Sequence, residues 1–217
     1  MAYRKLVIFD MDGLMFDTEK LHFDSYGIAA KEFGYTMTKE VFCRLLGGSY
    51  ERNMAILREE MGPDYPLEEV EKRTDAVQLE HIYTKGVPVK PGLRELLRSI
   101  KEKGILCAVA SSSPEESVMR NLKSVGMEND FDILYFGDKV KETKPAPDIF
   151  LGPCRDLGVD PADALVLEDS QNGILAAHRA GIPVVCIPDM KYPEPEFAEK
   201  TLAICENLLA AEKYLEK

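Results

Sequence analysis

Five short apolar segments, separated by amphipathic helical stretches, constrain the fold of this 217-residue chain more than any other feature. The segments are residues 6–9, 105–110, 133–136, 164–167 and 183–187. Their short length and largely apolar character are typical of strands that are buried on both faces of a sheet. Strands that alternate with helices usually lie parallel, with helices on both faces. The pattern therefore predicts an α/β fold with a doubly wound parallel sheet and a Rossmann-like core.

Residues 17–87 break this alternation, because they contain helical patterns but no convincing strand. Thr38 and Ser49 are suited to cap helices in this stretch, and Gly34 and Gly62 mark breaks between helices. We therefore predict an inserted helical cap domain at residues 17–87. The core would then consist of residues 1–16 and 88–217.

Serine, proline and glycine residues predict where several core helices begin and end. Ser113 precedes Pro114 and Glu116 in the order of an N-cap, a first helical position and a capping-box glutamate. Ser170 is suited to cap a later helix. Gly152-Pro153 falls inside a helical pattern at residues 147–157, where an interior proline costs about 3 kcal/mol. We therefore expect that helix to kink or to end early.

Composition and charge narrow the classes of protein to which the chain can belong. The formal net charge of −11 disfavours nucleic acid and anionic membrane surfaces as partners, because both repel an acidic protein. The five cysteines lack the spacing of a zinc site or a redox pair, which favours free thiols in a reducing compartment. No apolar run approaches the ~20 residues of a membrane span. We expect a cytoplasmic monomer with no nucleic-acid partner and no membrane partner.

Polar residues follow several of the predicted strands, at the edge of the sheet where open α/β folds bind ligands. One or more of these residues follow each of the first four predicted strands. After the first strand, Gly13 favours a turn. These residues are Asp10, Asp12, Ser111, Ser112, Lys144, Glu168 and Asp169. We expect them to converge on one rim of the sheet, although they are spread over about three quarters of the sequence.

This set of side chains is suited to phosphate chemistry with a metal ion. Crowded carboxylates repel one another unless a cation joins them, and Mg²⁺ prefers oxygen ligands. Mg²⁺ and Lys144 would offset the charge of a bound phosphate. An aspartate can accept a phosphoryl group covalently, and a second carboxyl group can protonate the leaving oxygen and then activate water. Ser111 and the backbone amides beside it are suited to bind the non-bridging phosphate oxygens.

The same positions resemble the motifs of the haloacid dehalogenase-type phosphotransferases. The resemblance rests on four segments in the expected order, FDMDGLMFDTE, ASSS, KPAPDIF and LEDSQNG. It implies that Asp10 is the nucleophile, that Asp12 is the acid and base, and that Ser111 and Lys144 bind phosphate. The implied Mg²⁺ ligands are Asp10, the backbone carbonyl of Asp12, Glu168 and Asp169. Thr18-Glu19 and the helical insert resemble the β-phosphoglucomutase-like branch of the family, which has a small helical cap.

Two of these assignments leave an alternative open. Glu168 could be solvated, with Asp169 as the only side-chain ligand among the pair, because Mg²⁺ retains several waters. His22 matches a position that assists transfer in the sugar-phosphate mutases of the family, but a single histidine on a helix is more often structural. We therefore keep His22 as a candidate substrate-binding residue only.

Three functions fit the candidate site, and the cap loop separates two of them. The resembled mutases hold a second phosphate with a lysine and an arginine, at positions that are Leu46 and Tyr50 in this chain. Without these cations we expect a phosphatase of a small phosphorylated metabolite, in which Gly47 and Arg52 contact the substrate. Arg52 could compensate in part, so a mutase is the alternative. A phospho-accepting receiver module is a third candidate, which the large cap disfavours because a receiver has no need to exclude water from a small substrate.

Overall fold

The computed structural model describes residues 2–46 and 48–217. Contacts divide the chain into two compact units, one made of Met1–Asp17 with Val87–Lys217 and the other made of Thr18–Gly86. We call them the core unit and the helical unit and describe each by itself. Among the described residues, no helix has both the length and the apolar composition that a membrane span requires.

The core unit is built on a six-stranded parallel sheet with the order β3-β2-β1-β4-β5-β6. The strands are β1 (Leu6–Phe9), β2 (Leu106–Ala110), β3 (Ile133–Tyr135), β4 (Ala164–Glu168), β5 (Val184–Cys186) and β6 (Ala203–Ile204). The order reverses beside β1, because β1 pairs with β2 on one side and with β4 on the other. This reversal is the topological switch point at which such sheets bind ligands. The predicted fold class is confirmed.

Nine α-helices accompany the sheet in the part of the chain that the structure describes. The helical unit contains α1 (Thr18–Glu32), α2 (Lys39–Leu45), α3 (Tyr50–Met61) and α4 (Leu67–Lys85). The core unit contains α5 (Leu93–Glu102), α6 (Glu115–Ser124), α7 (Asp148–Asp156), α8 (Gln171–Arg179) and α9 (Pro195–Ala198). Short 3₁₀ helices span Gly137–Lys139, Pro161–Asp163 and Leu209–Leu215.

Both faces of the sheet are buried, as the apolar strands predict. Leu6 and Ile8 on β1 belong to a cluster that includes Phe150 of α7 and Ile174 of α8, so these two helices cover one face. Residues that alternate with them, such as Phe9, are also inaccessible to solvent and face the other side of the sheet.

All five cysteines are free thiols, as the sequence predicts.

Local signals in the sequence predict some element ends correctly and miss others. Thr38, Ser49 and Ser170 each accept a hydrogen bond from a backbone amide in the first turn of the helix that they cap. The predicted cap at Ser113 is wrong, because α6 begins at Glu115 and the Ser113 hydroxyl donates to Asp12 instead. Strand β6 was missed because it has only two residues, one of them exposed.

Of the two outcomes predicted at Gly152-Pro153, a kink or an early end, the early end is wrong, since α7 continues through Pro153 to Asp156. The apolar residues Ile149 and Phe150 of this helix are buried on the sheet, and this burial offsets the hydrogen bond that proline cannot make. Gly152 allows the close approach, because a Cβ atom at this position would lie 2.1 Å from the Tyr135 ring.

Gly152→Ala should therefore destabilise the protein by about 1–3 kcal/mol, because the added methyl group forces α7 away from Tyr135. Gly27→Ala is the matched control: Gly27 lies in α1, where an added Cβ meets no atom within 4 Å. The control should stabilise the protein by about 0.5–1 kcal/mol through helix propensity. Urea unfolding of both variants measures the two free energies, and equal effects would contradict the packing of α7 described above.

Candidate active site

The turn after β1 sets the position of the first acidic residue. The Asp10 amide donates to the Leu167 carbonyl at 3.0 Å, so the register of β1 with β4 extends one residue beyond the strand. The chain then turns sharply, because the amides of Met15 and Phe16 both donate to the Met11 carbonyl, at 3.0 and 3.1 Å. Asp10 is thereby fixed at the carboxyl edge of the sheet beside the end of β4.

A lysine joins two buried carboxylates at this edge. The Lys144 Nζ atom contacts Oδ1 of Asp10 and lies 2.7 Å from Oε1 of Glu168. Asp10 is 6% exposed and Glu168 is fully buried. Nζ also lies 4.8 Å from the centre of the Phe150 ring, which covers one side of the ammonium group. These contacts bring together residues from three separate parts of the sequence, as predicted.

Glu168 has little freedom to move. Its second carboxylate oxygen, Oε2, accepts a hydrogen bond of 2.6 Å from the Ser170 amide. A Cβ atom on Gly173 would lie 1.8 Å from Oε1, so α8 presses against the carboxylate. The alternative in which Glu168 is solvated is therefore excluded by its burial and by its contacts within the protein.

Burial and mutual repulsion or attraction shift the pKa values of the charged groups in the cluster. Burial raises the pKa of Asp10 above its ordinary range, and Glu168 and Asp12 raise it further, while Lys144 opposes them. Burial likewise raises the pKa of Asp169, with Glu168 and Asp10 adding to the effect. Burial alone would lower the pKa of Lys144, but Asp10 and Glu168 outweigh it, so that the pKa stays above its ordinary value. One ammonium group therefore does not offset the whole charge of the carboxylates.

The carboxylates form a cluster that is suited to a divalent cation. Asp10, Glu168 and Asp169 each offer a carboxylate oxygen, and these atoms lie within 4.8 Å of one another. Oxygen donors of this kind fit Mg²⁺ better than a soft metal, because neither cysteine nor histidine belongs to the cluster. The donor set and its excess negative charge thus agree with the metal that the sequence predicts.

Asp12 lies beside this cluster and is held by two hydroxyl groups. Ser111 Oγ donates to Oδ2 of Asp12 at 3.2 Å, and Ser113 Oγ donates to the same oxygen at 2.8 Å. The Ser113 amide donates in turn to Ser111 Oγ at 3.0 Å. Both hydroxyl bonds fall on Oδ2, so they orient the carboxylate without engaging Oδ1. Ser113 was missed as a site residue because its sequence context also fits a helix cap.

The other predicted substrate-binding residues differ in their placement. Ser112 follows the fully buried Ser111 and is exposed. In the helical unit, Nδ1 of His22 lies 3.3 Å from Oε1 of Gln78, and the His22 ring stacks at an angle against Phe42. Arg52 is exposed near the start of α3, and its Nη1 atom lies close to Gly48. Gly47 lies outside the described residues.

Comparison with known proteins assigns the chain to a family. Residues 7–187 match the family described as haloacid dehalogenase-like hydrolase. The chain is 36% identical to the phosphorylated carbohydrates phosphatase of Thermotoga maritima over 176 residues, which are 81% of each protein.

Two solved structures are also similar. One is a Thermotoga maritima protein with a provisional assignment as a beta-phosphoglucomutase; it has a TM-score of 0.81 and 31% identity, over 97% of this chain and 98% of that one. The other is CbbY from Rhodobacter sphaeroides in complex with phosphate, with a TM-score of 0.72 and 27% identity, over 95% of this chain and 96% of that one.

Lys144→Met should strongly destabilise the protein in the presence of a chelator, because it leaves Asp10 and Glu168 buried without their cation. We expect a loss of about 3–5 kcal/mol, the usual effect of removing one partner of a buried ion pair. Lys191→Met is the matched control, because Lys191 forms an exposed pair with Glu194 at 3.1 Å and its loss should cost at most about 1 kcal/mol. Urea unfolding in chelator measures both, and equal losses would contradict the central position of Lys144.

Proposed function

The chain belongs to the haloacid dehalogenase-like hydrolase family, and from this premise we propose that it is a Mg²⁺-dependent phosphatase of a small phosphorylated carbohydrate. Its reaction class is the hydrolysis of phosphoric monoesters. The metal, the covalent intermediate and the substrate are the parts that we propose. The observation that carries them is the placement of Asp10, in contact with Lys144, within a cluster of three carboxylates and beside the oriented Asp12.

Asp10 is the proposed nucleophile. One of its carboxylate oxygens attacks phosphorus, and the bond between phosphorus and the leaving oxygen breaks as the new bond forms. The contact with Lys144 holds the Asp10 carboxylate in place and offsets charge on the phosphoryl group. The product of this step is an aspartyl-phosphate on Asp10 and a free alcohol.

Asp12 is the proposed acid and base. It donates a proton to the leaving oxygen in the first step and accepts a proton from water in the second. In that second step water attacks the phosphorus, the bond between phosphorus and the Asp10 oxygen breaks, and inorganic phosphate and the free Asp10 carboxylate are released. The hydrogen bonds from Ser111 and Ser113 to Oδ2 support this role, because they fix the orientation of the carboxylate. Both steps then use the same proton-carrying group.

Asp10, Glu168 and Asp169 would hold Mg²⁺, together with the backbone carbonyl of Asp12 that the family resemblance implies. When bound, the ion supplies electrostatic stabilisation to the phosphate oxygens. Glu168 is less available as a ligand than the other two carboxylates, because its oxygens already accept hydrogen bonds from Lys144 and the Ser170 amide. Lys144 remains the protein's own cation for the phosphoryl group.

The substrate is proposed from the relatives and from the chemistry of the helical unit. The similar Thermotoga maritima protein is named as a phosphatase of phosphorylated carbohydrates. Exposed Arg52, near the start of α3, is a candidate for contact with the polar part of such a substrate, as are His22 and Gly47. A sugar phosphate also fits the overall acidic charge, because its sugar hydroxyl groups are neutral and only the phosphate requires a cation.

A sugar-phosphate mutase is the second candidate function. It is supported by the similarity to the solved Thermotoga maritima structure with the provisional beta-phosphoglucomutase assignment. Against it, Leu46 and Tyr50 occupy the two positions at which the resembled mutases carry cations for a second phosphate. A phosphoryl group that is held at both ends needs a charged partner at each, so we favour water as the acceptor.

Asp10→Asn should lower turnover of a sugar phosphate by at least about a thousandfold, because an amide is a poor nucleophile. Asp163→Asn is the matched control. The Asp163 carboxylate pairs with Lys5 at 2.7 Å and precedes β4 directly, at the end of that strand opposite the site. The turnover of the control variant should therefore match that of the wild type. Phosphate release is measured for both variants after circular dichroism has established that each is folded. Substantial turnover by folded Asp10→Asn protein would remove Asp10 from the nucleophilic role.

Hydrolysis should outrun isomerisation when both are assayed on one preparation with glucose 1-phosphate and a bisphosphate primer. Release of inorganic phosphate is compared with formation of glucose 6-phosphate. The absent cations at Leu46 and Tyr50 should disfavour isomerisation by about ten- to a hundredfold for each lost charged contact. Faster isomerisation than hydrolysis would support the mutase. The double variant Leu46→Lys, Tyr50→Arg should shift the ratio towards isomerisation.

A further inference from the structure

Asp189 is a buried carboxylate beside the cluster that none of the motifs includes. It lies just beyond β5, and the chain reaches it through Ile187, whose amide donates to the Glu168 carbonyl at 2.7 Å. Its side chain is 10% exposed. A lysine, Lys90, contacts its Oδ1 atom and also lies 3.3 Å from Oδ1 of Asp17.

The second oxygen of Asp189 has no partner. Oδ2 is buried, and among the described residues no donor lies within hydrogen-bonding distance of it. Buried carboxylate oxygens are nearly always hydrogen-bonded in folded proteins, so an exception requires an explanation. The pair with Lys90 accounts for Oδ1 alone.

Oδ2 of Asp189 lies near Asp169, one member of the carboxylate cluster. A Cβ atom on Gly13 would lie 2.4 Å from Oδ2 of Asp169 and 3.5 Å from Oδ2 of Asp189, so both oxygens border the same small space. Gly13 keeps this space open and has φ +84°, which also favours glycine. Asp189 also contributes to the raised pKa of Asp169, after burial, Glu168 and Asp10.

Lys90 is anchored to the turn that carries Asp10. The Lys90 amide donates to the Met15 carbonyl at 2.9 Å, and the Asp17 amide donates to the Pro88 carbonyl at 2.8 Å. The ammonium group that holds Asp189 is therefore tied by its own backbone to the loop after β1. This arrangement fixes Oδ1 on Lys90 and leaves Oδ2 on the side of Asp169.

We propose that Asp189 is a positioning residue for the divalent cation, through a hydrogen bond that its Oδ2 atom accepts from a water molecule bound to that cation. Mg²⁺ keeps several waters when it binds to proteins, and each of these waters is a strong donor that needs an acceptor. Outer partners of this kind orient the ligands and affect metal affinity. This inference rests on one part of the proposed function, namely that the cluster binds a divalent cation.

The test is the affinity of Asp189→Asn for Mn²⁺, measured by electron paramagnetic resonance, and for Mg²⁺ by competition. Lys90 donates only, so it retains the amide oxygen of the variant, and the NH₂ group then faces the cluster. A donor thus replaces an acceptor, and we expect roughly tenfold weaker binding of both ions. Asp163→Asn, which removes the same charge from a carboxylate that pairs with Lys5 and Lys217, should bind both ions as the wild type does.

Thermal unfolding separates this role from a purely structural one. In chelator, Asp189→Asn should unfold at a lower temperature than the wild type, because the pair with Lys90 loses its charge. The role in cation binding is read from a second quantity, the increase in unfolding temperature on addition of Mg²⁺, which should be smaller in the variant than in the wild type. If Asp189→Asn does not fold, Asp189→Ala is measured in its place; it removes the acceptor without adding a donor, so the increase in unfolding temperature on addition of Mg²⁺ should again be smaller than in the wild type.

Each outcome decides the inference. Unchanged affinity in a folded variant would overturn it, as would an equal loss of thermal stability with and without Mg²⁺. Wild-type protein that binds no Mn²⁺ would contradict the proposed cofactor itself and would overturn this inference with it. If wild type and variant bind Mn²⁺ with equal affinity, the role of Asp189 is overturned while the proposed cofactor stands.

Discussion

The ion pairs of Lys144 are the interaction on which the candidate site depends. Three carboxylates gather at one edge of the sheet, and two of them are almost completely buried. Taking such charges out of water is very unfavourable unless they are paired and hydrogen-bonded. Lys144 provides one positive charge for Asp10 and Glu168, and the Ser170 amide provides a further hydrogen bond. The remaining negative charge makes the cluster suited to the divalent cation that we propose.

The backbone around the cluster leaves room for these groups and for little else. Gly173 allows α8 to begin directly against the Glu168 carboxylate, and Gly13 allows the turn after β1 to pass close to Asp169. A side chain at Gly173 would collide with Glu168, which Lys144 and the Ser170 amide hold in place, and a Cβ atom at Gly13 would lie 2.4 Å from Oδ2 of Asp169. The site thus requires glycine at these two positions as well as the charged residues, because the backbone passes close to Glu168 and Asp169 there.

Much of the fold and of this site could be predicted from the sequence, because both follow from rules that act over the whole chain. Strands that are buried on both faces have a recognisable composition, and parallel strands bring their carboxyl ends to one edge, which places Asp10, Lys144 and Glu168 together. Ser113 could not be assigned, because the same local sequence fits a helix cap and a hydrogen bond to Asp12. Asp189 could not be found at all, because only the folded chain brings its loop beside Gly13.

The buried centre does not decide between hydrolysis and transfer to a second sugar hydroxyl group. Both reactions need a nucleophile, an acid and base, and cations around the phosphoryl group, and the residues that we propose for these roles belong to the core unit. They differ in the molecule that accepts the phosphoryl group and in how its second phosphate is held. That difference requires charge on the residues that hold the second phosphate, and the positions at which the resembled mutases carry this charge are Leu46 and Tyr50 in this chain. We therefore propose that substitutions at positions such as Leu46 and Tyr50 can change the acceptor while the chemistry of the buried centre stays the same.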